Sequence, residues 1–150
     1  IIFVATIVIW FLQSFDIRLN MVADSSQSIL ASIGSLIAPL FVPLGFADWR
    51  ASTALLTGIT AKESVVSTLT ILTGASTDAQ LSQVLATIFT PLSAYSFLVF
   101  TVLYMPCVAA FAASKRELGS WKGAIFTALY QTGAAYVMAL IVYQIGRLIV

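Results

Sequence analysis

Long apolar runs without a single charged residue dominate this chain of 150 residues. The clearest run lies between Ser93 and Ala113, and its length matches the roughly 20 residues that a helix needs to cross the hydrocarbon core of a bilayer. Hydrophobic residues make up 60% of the chain and charged residues 9%, whereas soluble domains carry about 25% charged residues. The strict apolar–polar alternation of membrane strands does not appear in the sequence. The predicted fold class is therefore all-α, a polytopic transmembrane helical bundle whose partner is the lipid bilayer.

Charges, glycines and prolines divide the chain into predicted segments. The segments long enough to cross the membrane are Ile1–Phe15, Trp49–Leu72, Ser93–Ala113 and Gly123–Val150. Ser28–Phe46 also has the length of a crossing, but Pro39 and Pro43 would break a straight helix, so a short re-entrant or interfacial helix is expected there. The connecting pieces are a turn at Gly74–Asp78, an amphipathic stretch at Ala79–Phe89 and a charge-rich loop at Ser114–Lys122.

The small set of ionisable residues excludes several functions. The net charge of +1 gives no reason to expect a nucleic-acid partner. With no histidine and a single cysteine, Cys107, the sequence offers no imidazole base or ligand and no internal disulfide. It also lacks a GxxxxGK[ST] phosphate-binding loop, so we expect this chain alone neither to bind nor to hydrolyse GTP. Because it opens within an apolar run, we expect residues 1–150 to be a fragment of a longer transporter domain.

Lys62 and Glu63 stand side by side between two apolar runs. An ionised side chain at mid-membrane costs about 2.5–3.5 kcal/mol to insert, so such residues normally face a bundle interior or a wet cavity. Neighbouring helical residues point about 100° apart, so each charge needs its own partner. Gly58 precedes them, and an unwound helix there would expose backbone groups to an ion. We predict that the helix is interrupted near Gly58–Glu63; the alternative is that snorkelling or two half-helices place the charges at an interface.

Hydroxyl residues recur around these charges at spacings of three and four, which places them on one face of a continuous helix. They are Thr53, Thr57, Thr60, Ser64 and Thr68. Thr60 and Ser64 are the members nearest to Glu63, and we expect both to line an ion pathway with it.

Pro106 and Cys107 form a second feature, near the middle of the predicted crossing Ser93–Ala113. A proline lacks the backbone donor and frees the carbonyl of Val102, so a kink is expected. Met105 precedes the cysteine; thiolate and thioether are soft metal ligands and carboxylate is a hard one, so Cys107 with Glu63 would be a mixed pair acceptable to ferrous iron. The alternative is that the cysteine is a small packing residue.

Two strings in order, "APLFVPLGFADWRASTALLTGITAKESVVSTL" and "LYMPCVAAFAASKRELGSWKGA", resemble the C-terminal part of the membrane domain of FeoB-type ferrous iron transporters. The resemblance covers about residues 28–150 and looks like the second of two Gate regions. It departs from the family pattern at Ser64, where a valine is common. It implies a GTPase-coupled importer of Fe²⁺ in the bacterial cytoplasmic (inner) membrane, with multiple crossings.

The resemblance also implies that the GTP and Mg²⁺ site lies in an N-terminal domain outside this chain. The partners implied are that domain and the first Gate region of the same polypeptide, with a homo-oligomer as a further option. The Gate cysteine corresponds to Cys107 and the AKE glutamate to Glu63, which become the expected metal ligands. The expected ion pathway comprises Glu63, Cys107, Lys62, Thr60, Ser64 and Met105, with a helix break at Gly58 and a kink at Pro106.

Three other functions are weighed against iron transport. A Gate-fold carrier of nucleosides or another organic solute would need aromatic and amide groups around its site. A membrane-embedded enzyme would need a nucleophile and a base, and the available pairs are Ser64 with Lys62 or Cys107 with Glu63. A purely structural role would require that Lys62 and Glu63 can be neutralised without effect. The transporter reading involves no enzymatic activity in this chain.

Overall fold

The computed structural model describes residues 2–16, 18, 20–21, 27–105 and 107–149. The helices of this part of the chain are α1 (Ile2–Ser14), α2 (Ile29–Ile37), a 3₁₀-helix (Ala38–Leu44), α3 (Trp49–Thr57), α4 (Ser64–Thr73), α5 (Asp78–Ile88), α6 (Pro91–Leu103), α7 (Val108–Leu118) and α8 (Trp121–Ile149). Within the described ranges no β-strand forms, and one isolated bridge joins Phe15 to Met21. The predicted all-α class is confirmed.

Two stretches of the described chain are long and apolar enough to cross a membrane, Pro91–Leu118 and Trp121–Ile149. A third appears if Ile29–Leu44 and Trp49–Thr57 are counted as one bent span, and their axes meet at 107°. The bend lies at residues 45–48, after both prolines, where Gly45 takes the left-handed conformation with φ 83°; Pro39 and Pro43 lie in the 3₁₀-helix that follows α2. Helix α1 has 13 residues, which is shorter than a full crossing, so Ile1–Phe15 is not a complete span within the described residues. The composition and these helices identify a membrane protein.

The segment Trp49–Leu72 contains the predicted interruption, but its two parts, α3 and α4, do not continue in one direction across a membrane, so the expected crossing is wrong. The hydroxyls of Thr57 and Thr68 lie 2.9 Å apart, although an unbroken helix would separate those residues by about 16 Å. Thr53 also shares a small cavity with Thr68 and Leu72. Helix α4 therefore turns back along α3, and the two form a hairpin of half-helices.

Helix α8 is the continuous support against which the broken span α6–α7 packs. The Ser96 hydroxyl of α6 donates to the carbonyl oxygen of Ala139 over 3.0 Å, and Leu92 lies against Gly146. Ala135 and Ala139 are completely buried in this contact, because small residues let membrane helices approach closely. The two helices run antiparallel, since a later residue of one meets an earlier residue of the other.

The expected loop Ser114–Lys122 is mostly helix, which corrects that prediction. Helix α7 continues to Leu118, and Gly119 ends it in the left-handed conformation with φ 62°. Helix α8 then begins at Trp121. Lys115 lies with its Nζ 4.1 Å from the Trp121 ring centroid. The charged stretch is therefore the end of α7 and the start of α8, joined by a tight turn.

Candidate functional site

The first feature of the site is the break between α3 and α4. Helix α3 ends at Thr57 and α4 begins at Ser64, so the predicted interruption near Gly58–Glu63 is confirmed. Short-range turns fill the gap: the amide of Ile59 donates to the carbonyl of Leu56 and the amide of Ser64 to that of Ala61. The helical bond from residue 59 to Leu55 is thereby replaced, which leaves the Leu55 carbonyl without its usual helical donor.

Gly58 is buried at this break, and its lack of a side chain matters. A Cβ there would lie 2.5 Å from the Tyr104 hydroxyl oxygen and 2.5 Å from a methyl of Val65. Its backbone is in the ordinary right-handed region, with φ −61°. The glycine is therefore required by close approach between chain segments, whereas the sequence argument had invoked unwinding.

The second feature is the break between α6 and α7. Helix α6 ends at Leu103 and α7 begins at Val108, with Tyr104 and Met105 in a bend. Cys107 is half-buried and stands at the N-cap of α7 in an extended conformation, with ψ 161°. The predicted kink residue Pro106 lies outside the described residues. The crossing expected for Ser93–Ala113 lies within Pro91–Leu118, which is long and apolar enough to span a membrane, and it is interrupted between α6 and α7.

The two breaks touch each other. The backbone amide of Val108 donates to the carbonyl oxygen of Ile59 over 2.9 Å. The hydroxyl of Tyr104 donates to the carbonyl oxygen of Leu55 over 3.2 Å. Both bonds use carbonyls at or beside the end of α3, and both connect residues about 50 positions apart in the chain. The backbone three residues before Lys62 is thus joined to the residue that follows Cys107.

Lys62 has a partner of a kind that the sequence did not indicate. Its Nζ donates to the carbonyl oxygens of Val102, at 2.9 Å, and Tyr104, at 3.4 Å. It also lies 5.0 Å from the centroid of the Tyr104 ring. Proline at position 106 has no N–H, so the Val102 carbonyl lacks a helical donor, and a cation at the C-terminal end of a helix is favoured by the helix dipole. The lysine is satisfied by backbone oxygens of the neighbouring break.

Glu63 behaves differently from Lys62. Its side chain is exposed, and among the described contacts it takes part in no hydrogen bond or ion pair. It precedes the first residue of α4, where the helix dipole favours a negative charge. No hydrogen bond joins it to Cys107, although their chain neighbours Lys62 and Val108 both contact the opposite break. Its carboxylate is available to an external cation.

The hydroxyl face is divided by the break. Thr53 and Thr60 donate to carbonyls of their own segment, at 2.7 Å each, and Thr57 pairs with Thr68. Thr60 and Ser64 are half-buried beside Glu63. These hydroxyl oxygens can still accept or coordinate, since each keeps lone pairs. The expected continuous hydroxyl stripe is wrong, because a hairpin replaces the straight helix on which it depended.

The donor set for a metal is small. Over the described part of the chain, no group of three or more His, Cys, Asp or Glu residues could hold an ion. The expected pair, Cys107 and Glu63, would therefore need carbonyls, hydroxyls, water or residues outside this chain to complete a coordination shell. Such an incomplete shell is compatible with a substrate ion that must be released.

Gln131, on α8, is a polar residue that was not predicted as part of the site. Its Oε1 is buried without a hydrogen-bond partner in the described structure. It lies three residues after the buried Ala128 and four before Ala135, so it shares the α8 face that packs on α6–α7. The antiparallel register set by Ser96 with Ala139 places it across from the second break. Its helical spacing from Ala128 and Ala135 is the signal in the sequence that could have indicated its burial.

Comparison with known proteins gives consistent matches. The Gate family, described as nucleoside recognition, matches residues 1–121. The Fe(2+) transporter FeoB of Methanocaldococcus jannaschii is 47% identical over 124 residues, covering 83% of this chain and 18% of that protein. The Fe(2+) transporter FeoB of Staphylococcus aureus strain MSSA476 is 42% identical over 152 residues, covering 99% of this chain and 22% of that protein.

A fusion of Fe(2+) transport protein A with Fe(2+) transporter FeoB, from Porphyromonas gingivalis, is 35% identical over 141 residues. It is covered over 17% of its length, and this chain over 85%. The chain thus spans about a fifth of the curated relatives it matches. No solved structure gives a significant match.

Proposed function

Because this chain belongs to the Gate family and is similar over most of its length to FeoB transporters, we propose that it forms part of a pathway for ferrous iron across a membrane. Fe²⁺ is the transported ion, a substrate, and no resident cofactor is assigned to this chain. The complete protein would be a multi-pass importer of the bacterial cytoplasmic membrane. Its GTP and Mg²⁺ site, its first Gate region and any contacts between copies would lie outside these residues.

The observation that carries the proposal is the contact between the two helix breaks. The Val108 amide reaches the Ile59 carbonyl over 2.9 Å, so two unwound stretches of backbone lie together inside a bundle of membrane helices. Unwound backbone at membrane depth is tolerated only where it is buried in protein or lines a cavity. Broken helices of this kind form ion sites in transporters.

The residues at the breaks suit a ferrous ion. Cys107 and Met105 supply sulfur, and Glu63 supplies a carboxylate with no other partner in the described structure. Sulfur and carboxylate together match an ion of intermediate softness. The hydroxyls of Thr60 and Ser64, and water, would complete a weak shell. A carrier of nucleosides would need aromatic and amide groups that are free to hold a base, whereas the Tyr104 side chain is already engaged by Lys62 and by the Leu55 carbonyl.

The test is Fe²⁺ uptake by the complete protein in iron-starved cells. Cys107→Ser and Glu63→Gln should each lower the initial rate by at least about tenfold, since even outer-shell partners of a metal typically contribute 10–100-fold. Met105→Leu should lower it less, because a thioether is a weaker ligand than a thiolate.

Matched controls separate ligand loss from general damage. Glu117→Gln removes an exposed carboxylate from α7, and Met138→Leu removes a thioether from the half-exposed outer face of α8. Both should transport at the wild-type rate. Normal uptake by Cys107→Ser would make the cysteine a packing residue, and wild-type uptake of a nucleoside in place of Fe²⁺ would overturn the proposed function itself.

A further inference from the structure

The ammonium of Lys62 occupies a position that is built for a cation. Its Nζ lies 2.9 Å from the Val102 carbonyl oxygen, 3.4 Å from the Tyr104 carbonyl oxygen and 5.0 Å from the Tyr104 ring centroid. Carbonyl oxygens carry partial negative charge, and the face of an aromatic ring attracts cations. Because α6 ends at Leu103, the negative end of its dipole points to the same place.

A metal ion would find the same groups attractive. Carbonyls at unwound backbone and at the C-terminal ends of half-helices coordinate cations in transporters. The next residues along this stretch include Met105 and Cys107, both half-buried, which add soft sulfur to the hard carbonyl oxygens. The described residues Val102, Tyr104, Met105 and Cys107 therefore offer oxygen and sulfur to a ferrous ion, while Lys62 already holds the two carbonyl oxygens.

We propose that Lys62 is a tethered competitor of the transported ion: its ammonium fills the cation site at the end of α6 and must leave before a metal can bind there. This inference rests on the proposed function and adds to it the closing element of the pathway. Two positive charges cannot hold the Val102 and Tyr104 carbonyl oxygens at once, because like charges a few ångströms apart repel each other. The described conformation is accordingly the one closed to metal.

The surroundings of Lys62 leave it room to move. On one side it borders an open cavity of about 550 Å³ between α4, α5 and α6, lined mainly by apolar side chains. Its four-carbon stem can lie along such a surface while the ammonium reaches water. Lys115, by comparison, contacts the Trp121 ring, with no carbonyl partner among its described contacts. Lys62 is therefore held by backbone carbonyls and Lys115 is not, which makes Lys115 the control.

Lysine labelling of the wild-type complete protein tests the competition without any variant. An acetylating reagent is added in detergent under anaerobic conditions, with and without Fe²⁺, and modification of each lysine is read by mass spectrometry. We expect Fe²⁺ to raise the labelling rate of Lys62 by about tenfold, because reactivity follows the population of the released state, and to leave Lys115 unchanged. An unchanged Lys62 rate at Fe²⁺ concentrations that saturate uptake would overturn the proposal.

Ion flux gives the second test. The complete protein is placed in liposomes loaded with a dye that Fe²⁺ quenches, and entry is followed without nucleotide. Lys62→Met should raise this basal entry by about tenfold, because the competing charge is gone, whereas Lys62→Arg should raise it less. Lys115→Met should match wild type.

A Lys62→Met protein with wild-type helicity and no increased entry would contradict the competitor role while leaving iron transport intact. Absence of Fe²⁺ entry in the wild type, with or without GTP, would instead remove the proposed function. The two failures are thereby distinguished.

Discussion

The hydroxyl of Tyr104, at the end of α6, donates to the carbonyl oxygen of Leu55, near the end of α3, over 3.2 Å. Tyr104 is 5% exposed and Leu55 is 4% exposed, so water does not replace this bond. The Leu55 carbonyl is one that the break in α3 deprives of its usual helical donor. A side chain from one broken helix thus satisfies the backbone of the other.

Tyr104→Phe should destabilise the fold. It leaves the buried Leu55 carbonyl unpaired, which typically costs about 1–3 kcal/mol. Thermal unfolding in detergent, followed by circular dichroism, measures the change. Tyr136→Phe is the matched control, because its hydroxyl donates to the Leu40 carbonyl at a more exposed site. Equal unfolding midpoints for the two variants would mean that the bond from Tyr104 to the Leu55 carbonyl adds nothing to stability.

Gly58→Ala should separate the two breaks. Its Cβ would lie 2.5 Å from the Tyr104 hydroxyl oxygen and from a Val65 methyl, so one of them must shift. We expect a lower unfolding midpoint and loss of Fe²⁺ uptake in the complete protein. Gly133→Ala is the control, since no atom lies within 4 Å of its added Cβ and alanine is favoured over glycine in a helix by about 1 kcal/mol. A stable Gly58→Ala protein with normal uptake would be incompatible with the close contact described.

Gln131→Met should raise stability. It removes a buried acceptor that lacks a hydrogen-bond partner within the described structure, a situation that costs about 1–3 kcal/mol. The same substitution at Gln144, exposed on the same helix, should change the midpoint little. A drop in the midpoint for Gln131→Met would show that its amide is satisfied by groups outside this chain.

The sequence predicts the helical class and the interruption near Gly58–Glu63, because the first depends on composition and the second on charges beside a glycine. It did not predict the hairpin of α3 and α4. Apolar length alone cannot distinguish one crossing from two half-helices that pack on each other. The loop predicted at Ser114–Lys122 is mostly helix for a related reason: a run of charged residues does not by itself break a helix, and Lys115 and its neighbours continue α7 to Leu118.

The partner of Lys62 could not be found from the sequence for a physical reason. The sequence indicated that Pro106 would free the Val102 carbonyl and that Lys62 would need a partner, but nothing along the chain connects residues 62 and 102. That connection depends on how α3, α4 and α6 pack in three dimensions. The chemistry of the residues indicates a lysine without a partner and a carbonyl without a donor, and the three-dimensional structure shows that they bond to each other.

The two helix breaks are proposed to line one pathway, and Fe²⁺ uptake by single and combined variants tests this most directly. Initial rates are measured in cells for Cys107→Ser, Glu63→Gln and the combined variant of the complete protein, each corrected for protein in the membrane. If both residues act on the same ion, their effects are coupled, and the combined variant should transport no more slowly than the worse single variant. Fully multiplicative losses would show that Cys107 and Glu63 act independently, and would contradict a shared pathway.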